Sequence, residues 1–142
     1  MFRPYYCLLP TAYCLLRHSY SSLAPHASRP SHMKVVKITT ALRSPQKITD
    51  EIRYAACFKE ESFASGVIAF RPSKKSDPKQ ITHDDKDVVC QVIKGSGRLR
   101  MTGKRFRLRP GMVCHIPKGT PHDFAAGKYC ELVLFYSLIQ TK

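Results

Sequence analysis

The chain has 142 residues, 43% of them hydrophobic, and carries 24 Lys and Arg against 10 Asp and Glu, a formal charge of +14. That length fits one domain with a core of its own and excludes a wholly disordered chain. No apolar run approaches the ~18 residues of a membrane-crossing helix, and the charge admits polyanions or small acidic molecules as partners.

Residues 1–32 read differently from the rest. They hold Arg3, Arg17 and Arg29, no acidic residue, and a repeat in which Tyr6-Cys7-Leu8-Leu9 returns as Tyr13-Cys14-Leu15-Leu16. Pro10 and Arg17 interrupt a secretory signal, and Pro4 and Pro10 interrupt the amphipathic helix of a mitochondrial presequence. The expectation is a low-complexity, disordered extension outside the fold, perched before a start at Met33. A presequence is the alternative. The expected compartment is accordingly the cytoplasm, or the mitochondrion if 1–32 is a presequence.

From Met33 the domain 33–142 reads as strands. The β-branched run Val35–Thr40 is the first, followed by Ile52–Phe58 and Ser65–Phe70. A charged loop over 73–80 contains Pro78 and should be exposed. Val88–Ile93 is a strand ending at Gly95-Ser96-Gly97. Arg98–Met101 and Arg105–Arg109 alternate strictly around Thr102-Gly103, which predicts a hairpin with one apolar and one basic face. Met112–Ile116 is a strand, Pro117–Pro121 a tight loop, and Glu131–Leu138 the last strand. Short strands at this spacing, with no helix between them, indicate a sandwich or barrel.

Cys7, Cys14, Cys57, Cys90, Cys114 and Cys130 form no C-x-x-C pair, so zinc ribbons and redox motifs are unsupported. Reduced thiols packed as small hydrophobes are expected.

The segment Gly111-x5-Pro117-x-Gly119-x2-His122 matches the second motif of the cupins position by position. With the preceding hairpin, the resemblance covers roughly Gly66 to Tyr136. It implies an all-β fold, a single small double-stranded β-helix, or jelly-roll barrel, with His122 facing its interior. The first cupin motif, G-x5-H-x-H-x4-E-x6-G, is eroded. Anchored on Gly95, it places Val88 at the glutamate, His83 at the second histidine, Ile81 at the first histidine and Lys75 at the glycine. Two of four expected metal ligands remain, His83 and His122.

An Fe, Mn, Ni or Zn centre in such a barrel takes three or four protein ligands. Asp84, Asp85 and Asp87 flank the lost glutamate, and Asp85 is the candidate to complete a His83–His122–Asp85 set. Strand alternation puts Asp87 on the face opposite Val88. Val88, Cys90 and Val92 share an inward face, so Val88 and Cys90 join the pocket list with His83, His122 and His115. His115 suits either the pocket or a subunit contact. Asp123 could orient the neighbouring ring or serve as a solvated turn carboxylate.

The basic hairpin face, Arg98, Arg100, Arg105, Arg107 and Arg109, could meet phosphates. Residues 33–142 keep 21 Lys and Arg against 10 Asp and Glu, or +11. No aromatic residue interleaves there for base stacking, which argues against nucleic acid. The reading is a small-molecule-binding barrel, with a divalent metal held at most weakly. Its alternative is a metal-dependent enzyme of isomerase, dioxygenase or decarboxylase type acting on a small, anionic substrate. The resemblance also implies a homodimer, for which Val35–Thr40 and Leu132–Leu138 offer apolar surface.

Overall fold

The computed structural model describes residues 33–73 and 81–142. The expected extension over 1–32, with Cys7 and Cys14, and the motif position at Lys75 lie outside the described residues. The elements in chain order are α1 (Ile38–Ala41), β1 (Gln46–Lys47), β2 (Ile52–Lys59), β3 (Phe63–Phe70), β4 (Lys86–Lys94), β5 (Gly97–Met101), β6 (Lys104–Leu108), β7 (Val113–Ile116), β8 (His122–Ala126) and β9 (Leu132–Gln140). They form a six-stranded sheet in the order β1-β2-β3-β9-β4-β7 and a three-stranded sheet in the order β6-β5-β8. Every strand pairing is antiparallel.

Period-two burial builds the interior. In β4, Val88, Cys90 and Val92 are buried, while Asp87, Val89 and Gln91 between them are less so. These inward residues join Phe70, Leu99, Leu108, Ile116, Leu132 and Leu134 in the main core between the sheets. Truncating one of the buried leucines to alanine removes both transfer energy and packing, at about 2–5 kcal/mol. The β5–β6 hairpin turns through Thr102 and Gly103, both at positive φ, as a two-residue primed turn requires. Its register sets Arg98 opposite Arg107 and Arg100 opposite Arg105, with Leu99 opposite Phe106 on the other face.

One strand expectation fails. Val35–Thr40 is not a strand: 33–37 is irregular, and Ile38–Ala41 is a single helical turn. The physical reason lies in what it covers. Val67, Ala69 and Val133 form a second buried cluster, and Ile38 and Leu42 pack on it. Four residues apart, those two side chains share one face of a helical turn, which a strand's alternation also allows but without compact coverage. The same contact hides Val133 on β9, so that part of the expected dimer surface is already occupied. The described cysteines, Cys57, Cys90, Cys114 and Cys130, are all free thiols; only Cys90 is fully buried.

Candidate ligand-binding site

Three backbone devices bring the two motif segments together. The Ile81 amide donates to the His122 carbonyl at 2.7 Å, and the His122 amide returns a bond to the Ile81 carbonyl at 2.9 Å. The Gly119 amide donates to the His83 carbonyl at 2.7 Å. Residues 81–83 therefore run antiparallel against 119–122, and the Pro117–Pro121 loop becomes their frame. Gly119 sits at φ 75 with open space around its missing Cβ, so its role is conformational.

His122 is 3% exposed and opens β8. Its Nδ1 lies 2.9 Å from the Thr120 carbonyl oxygen. A carbonyl accepts only, so Nδ1 carries a proton. The His83 ring is 5.9 Å from the His122 ring, centroid to centroid, at 35°, and Phe124 meets His122 edge-on at 5.9 Å. Burial holds the His83 pKa below its ordinary value, and the neighbouring His122 lowers it further.

Both imidazoles open on a cavity of about 380 Å³, within the ~300–1,000 Å³ of small-molecule sites. Register explains its walls. Tyr54 and Ile68, then Cys90 and Tyr136, then Val88 and Leu138, are cross-strand partners on the inner face of the large sheet. Phe70 and Phe124 stack at 5.6 Å beside Leu134. The Cys90 thiol is pushed up to about 12 by burial and then by Cys114, its cross-strand partner. The Tyr136 phenol is likewise pushed up to about 12 by burial and by Tyr54. Both stay neutral, so they add polar atoms but no charge.

Of the residues singled out in the sequence, His83, His122, Val88 and Cys90 line this cavity. Asp85 and His115 do not. Asp85 is exposed, 4.0 Å from the Lys86 ammonium. Among the described residues no group of three His, Cys, Asp or Glu side chains converges as a metal site, so the His83–His122–Asp85 set is not assembled. His115 pairs with Val89 on the outward face of β4–β7, and its Nε2 lies 3.0 Å from Asp87 Oδ2. The pocket assignment of His115 is corrected: with Cys114 packed inward against the core, alternation turns its neighbour outward. Asp123 is also corrected. It is buried, not solvated, and accepts a 2.7 Å hydrogen bond from Arg100 Nε on the adjacent strand. Missed altogether were Tyr54, Phe58, Phe124 and Tyr136 as cavity walls; the alternation of Tyr54, Ala56 and Phe58 was the available signal.

A cupin domain model matches residues 66–136, half of the chain. The chain belongs to the cupin family. Among solved structures this cupin resembles the Cnp3 cupin domain of Schizosaccharomyces pombe, at 21% identity and a TM-score of 0.60, with 69% of each chain covered. It also resembles KdgF from Halomonas sp., at 18% identity and 0.59, covering 70% of this chain and 88% of that one. A predicted oxalate decarboxylase from Thermotoga maritima superposes at 16% identity and 0.65, covering 75% and 99%. These likenesses establish the fold. No curated protein matches the sequence.

The family's metal can be tested against the donors present. Two imidazoles face the cavity, Val88 stands where the family's glutamate would stand, and among the described residues no carboxylate lines the walls. A dipositive ion there would have two neutral nitrogen donors and apolar neighbours, without the third or fourth ligand or the anionic charge such centres use. The residues do not fit a catalytic metal. No helix among the described residues is long and apolar enough to cross a membrane.

Proposed function

We propose that this cupin is a small-molecule-binding barrel that works without a tightly held metal. The supporting observation is the composition of the cavity: an aromatic and aliphatic wall, two adjoining imidazoles, and Val88 where a ligating carboxylate would be needed. Apolar ligand surface entering this space gains about 25 cal/mol per Å² removed from water. His122 Nε2, the ring nitrogen not turned to the Thr120 carbonyl, supplies one directional polar atom to orient what enters.

The reading is tested with the purified full chain. Small aromatic molecules titrated into labelled protein should shift backbone resonances of Val88, Cys90, Leu134 and Tyr136 saturably. Elemental analysis after dialysis should find no stoichiometric Fe, Mn, Ni or Zn. A metal retained at one per chain would instead favour the isomerase, dioxygenase or decarboxylase reading and overturn this one.

A further inference from the structure

The basic side chains that line the cavity have no acidic counterpart among the described residues. Its lining includes Lys59, His83 and His122, with the Tyr54 and Tyr136 phenols and the Cys90 thiol, and among the described residues no Asp or Glu lines it. Glu60 and Glu61, which follow Lys59, are exposed and outside the lining, and the other nearby carboxylates among the described residues are engaged or directed elsewhere. Asp123, next to His122, is bound to Arg100 at 2.7 Å on the opposite face of the small sheet. Asp87, next to Val88, accepts from the Lys118 amide at 2.9 Å and contacts His115. Asp84 and Asp85 are exposed on the loop before β4.

The Lys59 ammonium and the His83 ring also sit at one end. Strand register carries Lys59 opposite Ala64, Ala64 opposite Leu138 and Leu138 opposite Val88. This row is the end of the sheet from which the chain leads back to His83, where Gly119 and His122 hold it. Away from that end the wall at Tyr54, Ile68, Phe70 and Leu134 is aromatic and aliphatic, and Phe124 links it to His122 at 5.9 Å. A cavity polarised in this way complements a molecule polarised the same way.

Resting on the binding-barrel reading, we propose that the ligand is a small apolar carboxylic acid. Its hydrocarbon body lies among Tyr54, Phe70, Phe124 and Leu134, and its carboxylate lies at the Lys59–His83 end. The lysine ammonium and an imidazole N–H donate to the carboxylate, and such charge-assisted bonds are the strong ones. Apolar walls raise their worth by excluding water.

The test uses matched probes, 3-phenylpropionate and its neutral amide 3-phenylpropionamide, with indole as an apolar reference, in titration calorimetry on the full chain. The acid should bind at least about tenfold more tightly than the amide, the size of one charged hydrogen bond. Lys59→Met and His83→Gln should each cut acid affinity by about three- to tenfold and cut amide affinity by less, so that the preference for the acid narrows. Lys59 is exposed at a strand end and His83 lies in a loop, so both variants should keep the wild-type unfolding midpoint. Equal affinities for acid and amide, or indole binding while the acid does not, would overturn the carboxylate assignment and leave the binding barrel standing. Failure of all three probes would overturn the binding barrel as well.

Discussion

Two stretches of this cupin carry the family's signature, and they have fared differently. The segment 111–122 keeps all four signature positions. The segment 75–95 keeps only His83 and Gly95. Beside the two ligand positions His83 and His122, the survivors are backbone positions, Gly95, Gly111, Pro117 and Gly119, although Lys75 has replaced the first motif's opening glycine. Gly111 and Gly119 are at φ 87 and 75 with nothing near their missing Cβ atoms, whereas Gly95 combines φ 78 with a wall: a Cβ there would fall 1.6 Å from the Glu131 carbonyl oxygen. What is lost, at Ile81 and Val88, is what only a metal demands. A signature thus mixes two separable requirements, and this chain keeps the backbone positions at 95, 111, 117 and 119 while leaving the coordinative set half met.

That separation predicts an order of effects. Gly95→Ala should be the most damaging change, because it adds a backbone collision to left-handed strain; about 4 kcal/mol or more is expected, near the upper end for single substitutions. Gly119→Ala and Gly111→Ala meet no obstacle and should cost only the left-handed penalty, about 1–2 kcal/mol each. Urea unfolding of the three variants checks this. Equal losses for Gly95→Ala and Gly119→Ala would mean that the segment 75–95 no longer carries any special backbone demand.

The coordinative half is probed by putting the carboxylate back. Val88 is 5% exposed against the cavity, so Val88→Glu buries a carboxyl group beside Cys90 and Leu138. At neutral pH this should cost about 2–4 kcal/mol for an unpaired buried polar group. Burial raises the pKa of such a carboxyl, so the cost is largest at high pH and shrinks as pH falls toward the free value of about 4.3. Added Zn²⁺ or Mn²⁺ should then restore stability in Val88→Glu and leave the wild type unmoved. If the ion has no effect on the variant, the two imidazoles do not aim at a common centre and the barrel has lost more than its ligands.

How much of this could be read from residues follows the same division. Strict alternation in 98–101 and 105–109 gave the hairpin, and Gly111 through His122 gave the loop and the burial of its histidine, because local backbone rules decide those features. Alternation also set Asp87 and Val88 on opposite faces. The single turn α1 was not legible, since Val35–Thr40 has strand composition and only the uncovered patch at Val67 and Val133 makes a helical turn worthwhile. Asp123 looked like a turn carboxylate because its partner Arg100 is 23 positions away and is supplied by strand pairing. That no third ligand joins the two histidines among the described residues was equally a matter of placement: Asp85 is near His83 in sequence yet is exposed on the loop.

The smallest effect concerns the retained histidine pair itself. Burial, then the charge of His122, hold the His83 pKa below normal, so the folded protein resists protonating His83 while the unfolded chain does not. A base with a lowered folded pKa leaves stability flat above the free value of about 6.5 and erodes it as pH falls through that value. The ring is only half-buried, so screening should keep the loss below about 1 kcal/mol. Asp87 acts in a different window. The His115 hydrogen bond and the Lys118 amide depress its pKa, so its contribution is full above the free carboxylate value of about 3.9 and is lost only in stronger acid. Denaturation midpoints followed downward from neutrality should therefore show a shallow first decline near pH 6, absent in His83→Gln, and a later one absent in Asp87→Asn. His122→Gln should also weaken the first decline, because the repulsion between the rings needs both of them. If the first decline survives in His83→Gln, the two imidazoles do not sense each other, and the shared face on which the ligand reading depends would have to be redrawn.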